Sequence, residues 1–152
     1  PGFKLISTPD EADILVAGIA NTVVAIGDLI YVNPGTTYYC VAEAGLPEAW
    51  QFKAVATEAV ATASKDPIYI KAIFVHPQQL WEVESANNSN SEHNSDRMIL
   101  TDANTVNNTG TNSTLSTASV MQVGVIGDVG DKRIIVRFIG GDGADPAVTA
   151  VA

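Results

Sequence analysis

Lys132-Arg133-Ile134-Ile135-Val136-Arg137-Phe138-Ile139, reached from Ser119–Ile126 through the turn Gly127-Asp128-Val129-Gly130-Asp131, decides the fold class of this chain. Successive side chains of an extended strand point to opposite faces. Ile134, Val136 and Phe138 therefore share one face, directed inward, and Arg133 and Arg137 stand on the other. Two such runs separated by a glycine-rich turn read as a hairpin. Upstream, Leu80-Trp81-Glu82-Val83-Glu84 alternates in the same way, with Trp81 and Val83 inward and Glu82 and Glu84 outward. Ile68–Val75, opened by Asp66-Pro67, is apolar on both faces, as in a central strand.

Further out the same character continues. Ile14–Ala20 and Val23–Val32 are rich in Val and Ile, and Gly27-Asp28 interrupts the second run as a bulge or tight turn. Asn33-Pro34-Gly35-Thr36 is a turn signal that joins Leu29–Val32 to Tyr38–Ala42 as a hairpin. Met98–Asp102 reads as a short strand. Ala54–Ala63 carries both alanines that favour a helix and Val/Thr residues that suit a strand, and a short helix or irregular crossover is the reading adopted. Two stretches, residues 85–97 and Asn107–Thr117, lack any apolar period and read as long polar loops, of the kind that are functional or mobile. No internal repeat of fixed period is visible. Short strands with turn signals between them, and no alternation with helices, predict a mainly β chain: an antiparallel β-barrel or β-sandwich spanning 14–139. Residues 1–13 are expected to form an extended N-terminal arm, with Phe3, Leu5 and Ile6 as an apolar docking patch, and 140–152 a flexible tail.

Composition narrows the function. The 152 residues suffice for one domain with a real core. The chain is 46% hydrophobic with 16% charged residues, below the roughly 25% of ordinary soluble domains, which suits a surface partly covered in an assembly. Net charge is −9, and of the eight basic residues only Lys132 and Arg133 adjoin, so no cationic footprint for nucleic acid or an anionic membrane exists. No run approaches the ~20 apolar residues of a membrane span. The opening Pro1-Gly2 suggests a removed initiator Met, and no secretion signal is visible. Cys40 stands alone in an apolar run and reads as a small buried hydrophobe.

Catalytic chemistry finds no footing, and no enzyme, cofactor or metal is expected. His76 precedes Pro77 as a turn histidine, and Glu92, His93 and Asp96 lack metal-ligand spacing on a fixed element. No Gly-x-Ser-x-Gly elbow is present. The glycines of 124–130 miss the phosphate-loop spacing, and Asp128–Asp131 misses the calcium-loop spacing. Asn87, Asn107 and Asn112 begin sequons of the kind that chance produces in Asn/Ser/Thr-rich loops. Trp81 reads as core; Trp50 reads as core or as an interface contact.

From Pro77 to Gly140 the order of elements resembles a known family. Leu80-Trp81-Glu82-Val83, a polar loop, Leu100-Thr101-Asp102-Ala103-Asn104-Thr105-Val106, Val123-Gly124-Val125-Ile126-Gly127 and Asp131–Phe138 together resemble the small decoration (cement) proteins of tailed-bacteriophage heads. The Val-x-x-Gly-Asp-x-x-Tyr-Val pattern at Val24–Val32 is similar to theirs too. The resemblance implies a β-barrel or β-sandwich made in the host cytoplasm and bound to the outer capsid surface, with the major capsid protein as partner and a trimer as the favoured homo-oligomer. It brings no catalytic residue. Phe3, Leu5, Ile6 and Trp50 are the candidate capsid or subunit contacts. A glycan- or host-binding β domain of a virion spike or surface adhesin is the alternative.

Overall fold

A computed structural model describes residues 2–7, 14–20, 22–32, 38–43, 51–75, 78–108 and 119–139. Trp50, His76, the Asn33–Thr36 turn, most of the second polar stretch and the 140–152 tail lie outside the described residues. The chain is mainly β, as expected, and its strands close into barrels. Strands β2 (Ile14–Ile19), β3 (Leu29–Val32), β4 (Tyr39–Val41), β5 (Gln51–Ala56) and β6 (Ile68–Phe74) form a closed five-stranded barrel in the order β2-β4-β3-β5-β6. Strands β7 (Leu80–Ser85), β8 (Arg97–Asp102), β9 (Thr105–Asn107), β10 (Val120–Ile126) and β11 (Arg133–Phe138) run β7-β11-β10-β8-β9. A parallel β7–β9 pairing, Glu84 with Thr105 and Ser85 with Val106, closes this second ring.

The two rings have one topology. In each, the first strand pairs antiparallel with the fifth, the fifth with the fourth, the fourth with the second and the second with the third; the third returns parallel to the first. Equivalence extends to single residues. The pair Ile30–Ala54 corresponds to Met98–Val120, Ala54–Phe74 to Val120–Phe138, and Ile19–Tyr39 to Ser85–Val106. Even the turn before the second strand is repeated. Gly27 (φ +92°) donates to Ala56 O at 2.8 Å, and Ser95 (φ +76°) donates to Gln122 O at 2.8 Å. Asp28 N then bonds Ala25 O at 3.1 Å, as Asp96 N bonds His93 O at 2.9 Å. The sequence shows no period, yet the fold is a tandem repeat.

Three local expectations change. Gln51–Ala56 is a strand where a short helix or irregular crossover was expected over Ala54–Ala63; Ala54 and Ala56 are buried in the interior of the first barrel with Ile30 and Ala72. Residues 57–66 are irregular, apart from a bridge between Val60 and Val24. Second, residues 2–7 are not a projecting arm, and the rest of the expected 1–13 arm lies outside the described residues. Lys4–Ser7 is β1, hydrogen-bonded to β7 with Leu5 opposite Trp81, and Phe3 is buried. Third, the polar 85–97 stretch is laid against the sheet by its own hydrogen bonds. Ser89 N donates to Val129 O (3.0 Å), and the buried Gln122 donates its amide to Asn90 O (2.8 Å) and Asn94 Oδ1 (2.9 Å). Asn108 cross-links it further, accepting from Asn87 N (2.9 Å) and donating to Asn88 O (3.0 Å).

The first barrel encloses Ile19, Val24, Ile30, Ala54, Ala56, Val60, Ile70 and Ala72. The second encloses Trp81, Val83, Met98, Leu100, Val106, Val120, Ile134, Val136 and Phe138, as the alternation of β7 and β11 predicts. Outward-facing residues of the first barrel (Leu29, Tyr31, Val55) and Ala42 belong to that same second cluster, with Phe3 among them. Phe3 lies 4.9 Å from Phe138, which meets Trp81 edge-on at 5.9 Å. Leu29 N donates to Ala103 O (2.8 Å) and Asn104 Nδ2 to Asp28 Oδ1 (3.1 Å), so backbone and side chain pin the joint. Gln79, fully buried at the inter-barrel link, donates to Phe74 O and accepts from the Trp81 indole. Each large apolar side chain buried here contributes roughly 1.5–3 kcal/mol, and the joint holds several.

Candidate functional site

Antiparallel pairing places β2, β4 and β5 C-termini and β3 and β6 N-termini at one end of the first barrel. The same holds for the second barrel with β7, β9, β10, β8 and β11. These loop ends are equivalent by fold and opposite in chemistry. The first exposes Val23 (56%), Ile26 (64%), Ile68 (37%) and Tyr69 (68%). The counterparts of Ile26, Ile68 and Tyr69 in the second are Asn94, Lys132 and Arg133. The barrel therefore does not need apolar residues at these places in order to fold. The loop end of the second barrel exposes one large apolar side chain, Val129 (58%), against four on the first, and that concentration marks a surface that water disfavours, of the kind found where protein meets protein.

The loop end of the second barrel is a polar construction. Asn88–Ser91 with Val125, Gly127 and Val129 line an open cleft of about 390 Å³. The turn beneath it is fixed by Asp131, whose carboxylate accepts from Asp128 N at 2.8 Å. Gly127 sits at φ +68°, and a Cβ there would collide with that carboxylate, so glycine is needed at this point. Amides, hydroxyls and methyl groups line the cleft and no ionisable group does. It offers hydrogen bonds, not acid–base chemistry.

The nominated residues separate in space. Phe3 is 4% exposed and belongs to the core, Leu5 is half-buried and packed against it, and Ile6 is 45% exposed on β1. Only Ile6 of these three presents an apolar side chain to solvent. Trp50 lies outside the described residues. Of Glu92, His93 and Asp96, the last two pair (Nδ1 to Oδ2, 3.0 Å), and among the described residues no group of three His, Cys, Asp or Glu could hold a metal. That pair closes the turn whose counterpart is closed by Ala25 N donating to the Asp28 carboxylate (2.9 Å). Cys40 is half-buried in β4, opposite Tyr31. Burial, followed by the hydrogen bond with Cys40, pushes the Tyr31 hydroxyl up to about 12. Arg133 and Glu82 form an ion pair across β11 and β7. The exposed set Val23, Ile26, Ile68 and Tyr69 was missed in the sequence. For Tyr69 alone the signal was present, since it lies on the face of β6 opposite the buried Ile70 and Ala72 and a barrel strand buries only one face.

No family model, no curated protein and no solved structure matches this chain.

Proposed function

We propose that this chain is a structural virion protein, a decoration (cement) protein that binds the outside of a tailed-phage capsid and stabilises the lattice of the major capsid protein. The observation that carries the reading is the apolar loop end of the first barrel, Val23, Ile26, Ile68 and Tyr69, on a chain of net charge −9. An acidic protein suits the outside of a DNA-filled shell, because phosphate repels it from the inside. The order of elements from Leu80 to Phe138 supports the same reading through its resemblance to head decoration proteins.

The mechanism is mechanical. Two barrels locked by a shared core form a stiff body, and a stiff body bridging two capsid subunits resists their separation. At about 25 cal/mol per Å² of apolar area, a few hundred Å² covered per copy stabilises each contact by several kcal/mol before association costs. Assembly into a homo-oligomer, a trimer in the family-based reading, multiplies the contacts per particle.

The test is binding to expanded empty heads of the phage that encodes the chain. Saturable binding that raises the temperature of head disruption supports the proposal, and Ile26→Ser with Tyr69→Ser should weaken it at least roughly tenfold. Absence of binding to expanded heads sinks it. The cleft at Asn88–Ser91 favours one second reading, a glycan-binding domain. Binding of the isolated protein to host glycans, abolished by Ser91→Trp, would support that reading instead.

A further inference from the structure

We infer that copies of this chain join head to tail, by repeating between molecules the joint that its two barrels make within one. The internal joint has a seat and an end. The seat is the outer face of the first barrel, where Leu29, Tyr31 and Val55 are 0%, 8% and 2% exposed. The end is the mouth of the second barrel away from its polar loops, where Leu100, Val106 and Phe138 are 0%, 0% and 1% exposed.

Because the fold is a tandem repeat, each chain carries a second seat and a second end, and among the described residues these are only half-buried. The second seat is on the second barrel, where Ile99 and Met121 occupy the places of Tyr31 and Val55. Both are apolar and only half-buried. The second end is the mouth of the first barrel, where Val32, Tyr39 and Phe74 occupy the places of Leu100, Val106 and Phe138. All three are half-buried although their counterparts are sealed. The difference in burial is what a missing partner leaves behind. The surface already shown to fit a seat of this geometry is the end of another such barrel, and a second copy supplies one.

One seat position changes from apolar to charged. Arg97 stands where Leu29 stands in the internal seat, so the joint between molecules is more polar and its association weaker than the internal one. A seat-to-end contact is heterologous: it generates a closed ring if the rotation closes and an open chain otherwise. Each copy carries −9, so association should tighten as salt screens the repulsion. The inference deepens the oligomeric part of the proposed function and takes nothing from the capsid.

The test uses sedimentation velocity of the full chain across concentration and salt. Wild type should self-associate reversibly. A seat variant, Ile99→Ser with Met121→Ser, and an end variant, Tyr39→Ser, should each associate roughly tenfold or more weakly. Mixing the two should restore a dimer and nothing larger, because one intact end meets one intact seat. That heterodimer also proves both variants folded; Val32→Thr replaces Tyr39→Ser should the latter lose its far-ultraviolet β spectrum. Wild type that stays monomeric at every concentration overturns the inference, as does a mixture that forms no dimer. Either result leaves the capsid proposal to its own binding assay.

Discussion

Replacing Phe3 by Ala distinguishes a core strand from a docking arm. The ring is 4% exposed, lies 4.9 Å from the Phe138 ring, and belongs to the cluster that locks the two barrels. The residue's backbone N–H donates to Gly27 O at 2.8 Å, so the side chain is held in place from both directions. Truncating a buried Phe costs about 3–5 kcal/mol, the transfer of the ring plus the cavity it leaves. A site near a chain terminus relaxes more readily than a mid-sheet one, so the low end, about 3 kcal/mol, is expected for Phe3→Ala. In urea, with a slope of about 1–3 kcal/mol/M, that loss lowers the unfolding midpoint by roughly 1–3 M at unchanged slope. Ile6→Ala, three residues along and 45% exposed, is the control and should cost less than about 0.5 kcal/mol. Equal, small losses for the two variants would refute the placement of Phe3 in the joint and return residues 1–7 to the role of an arm.

Other expectations follow from single contacts. Gln122→Ala removes the buried amide that holds Asn90 and Asn94, and should cost about 2 kcal/mol and speed hydrogen exchange across residues 88–96 while β11 stays protected. Gly127→Ala places a Cβ against the Asp131 carboxylate at a positive φ; it should lower stability by about 1–2 kcal/mol, read as a drop in melting temperature. Tyr31 titrates at about 12 when folded and near 10 when unfolded, so the folded state holds its proton more tightly. Its contribution is fully present below pH 10 and is lost as pH rises from 10 towards 12. Tyr31→Phe should flatten the fall in stability over that window.

Much of the β architecture was legible. Strict alternation in Leu80–Glu84 and Arg133–Phe138 placed Trp81, Val83, Ile134, Val136 and Phe138 inward, because one buried face forces a period of two. What alternation cannot carry is pairing between distant strands, so neither ring closure nor the repeat could be read. The repeat is hidden because equivalent positions share only backbone geometry. Ile19 corresponds to Ser85 and Ala56 to Gln122, an apolar pair in one barrel and a hydrogen-bonded pair in the other. Gly27 corresponds to Ser95, which adopts the same positive φ without being glycine. Ala54–Ala63 misled because alanine favours helices locally, and the interior of a narrow barrel overrode that preference. Of the candidate surface, Ile6 is exposed and Phe3 is buried, and the exposure of Tyr69 required knowing which face of β6 the barrel buries.

The proposal that this chain decorates a tailed-phage head is tested most directly by electron microscopy of such heads. The account predicts density large enough for two five-stranded barrels at regular positions on the outer surface, with the Val23, Ile26, Ile68 and Tyr69 end of the first barrel against the major capsid protein. Heads bare at every lattice position, in particles that contain the protein, would contradict it.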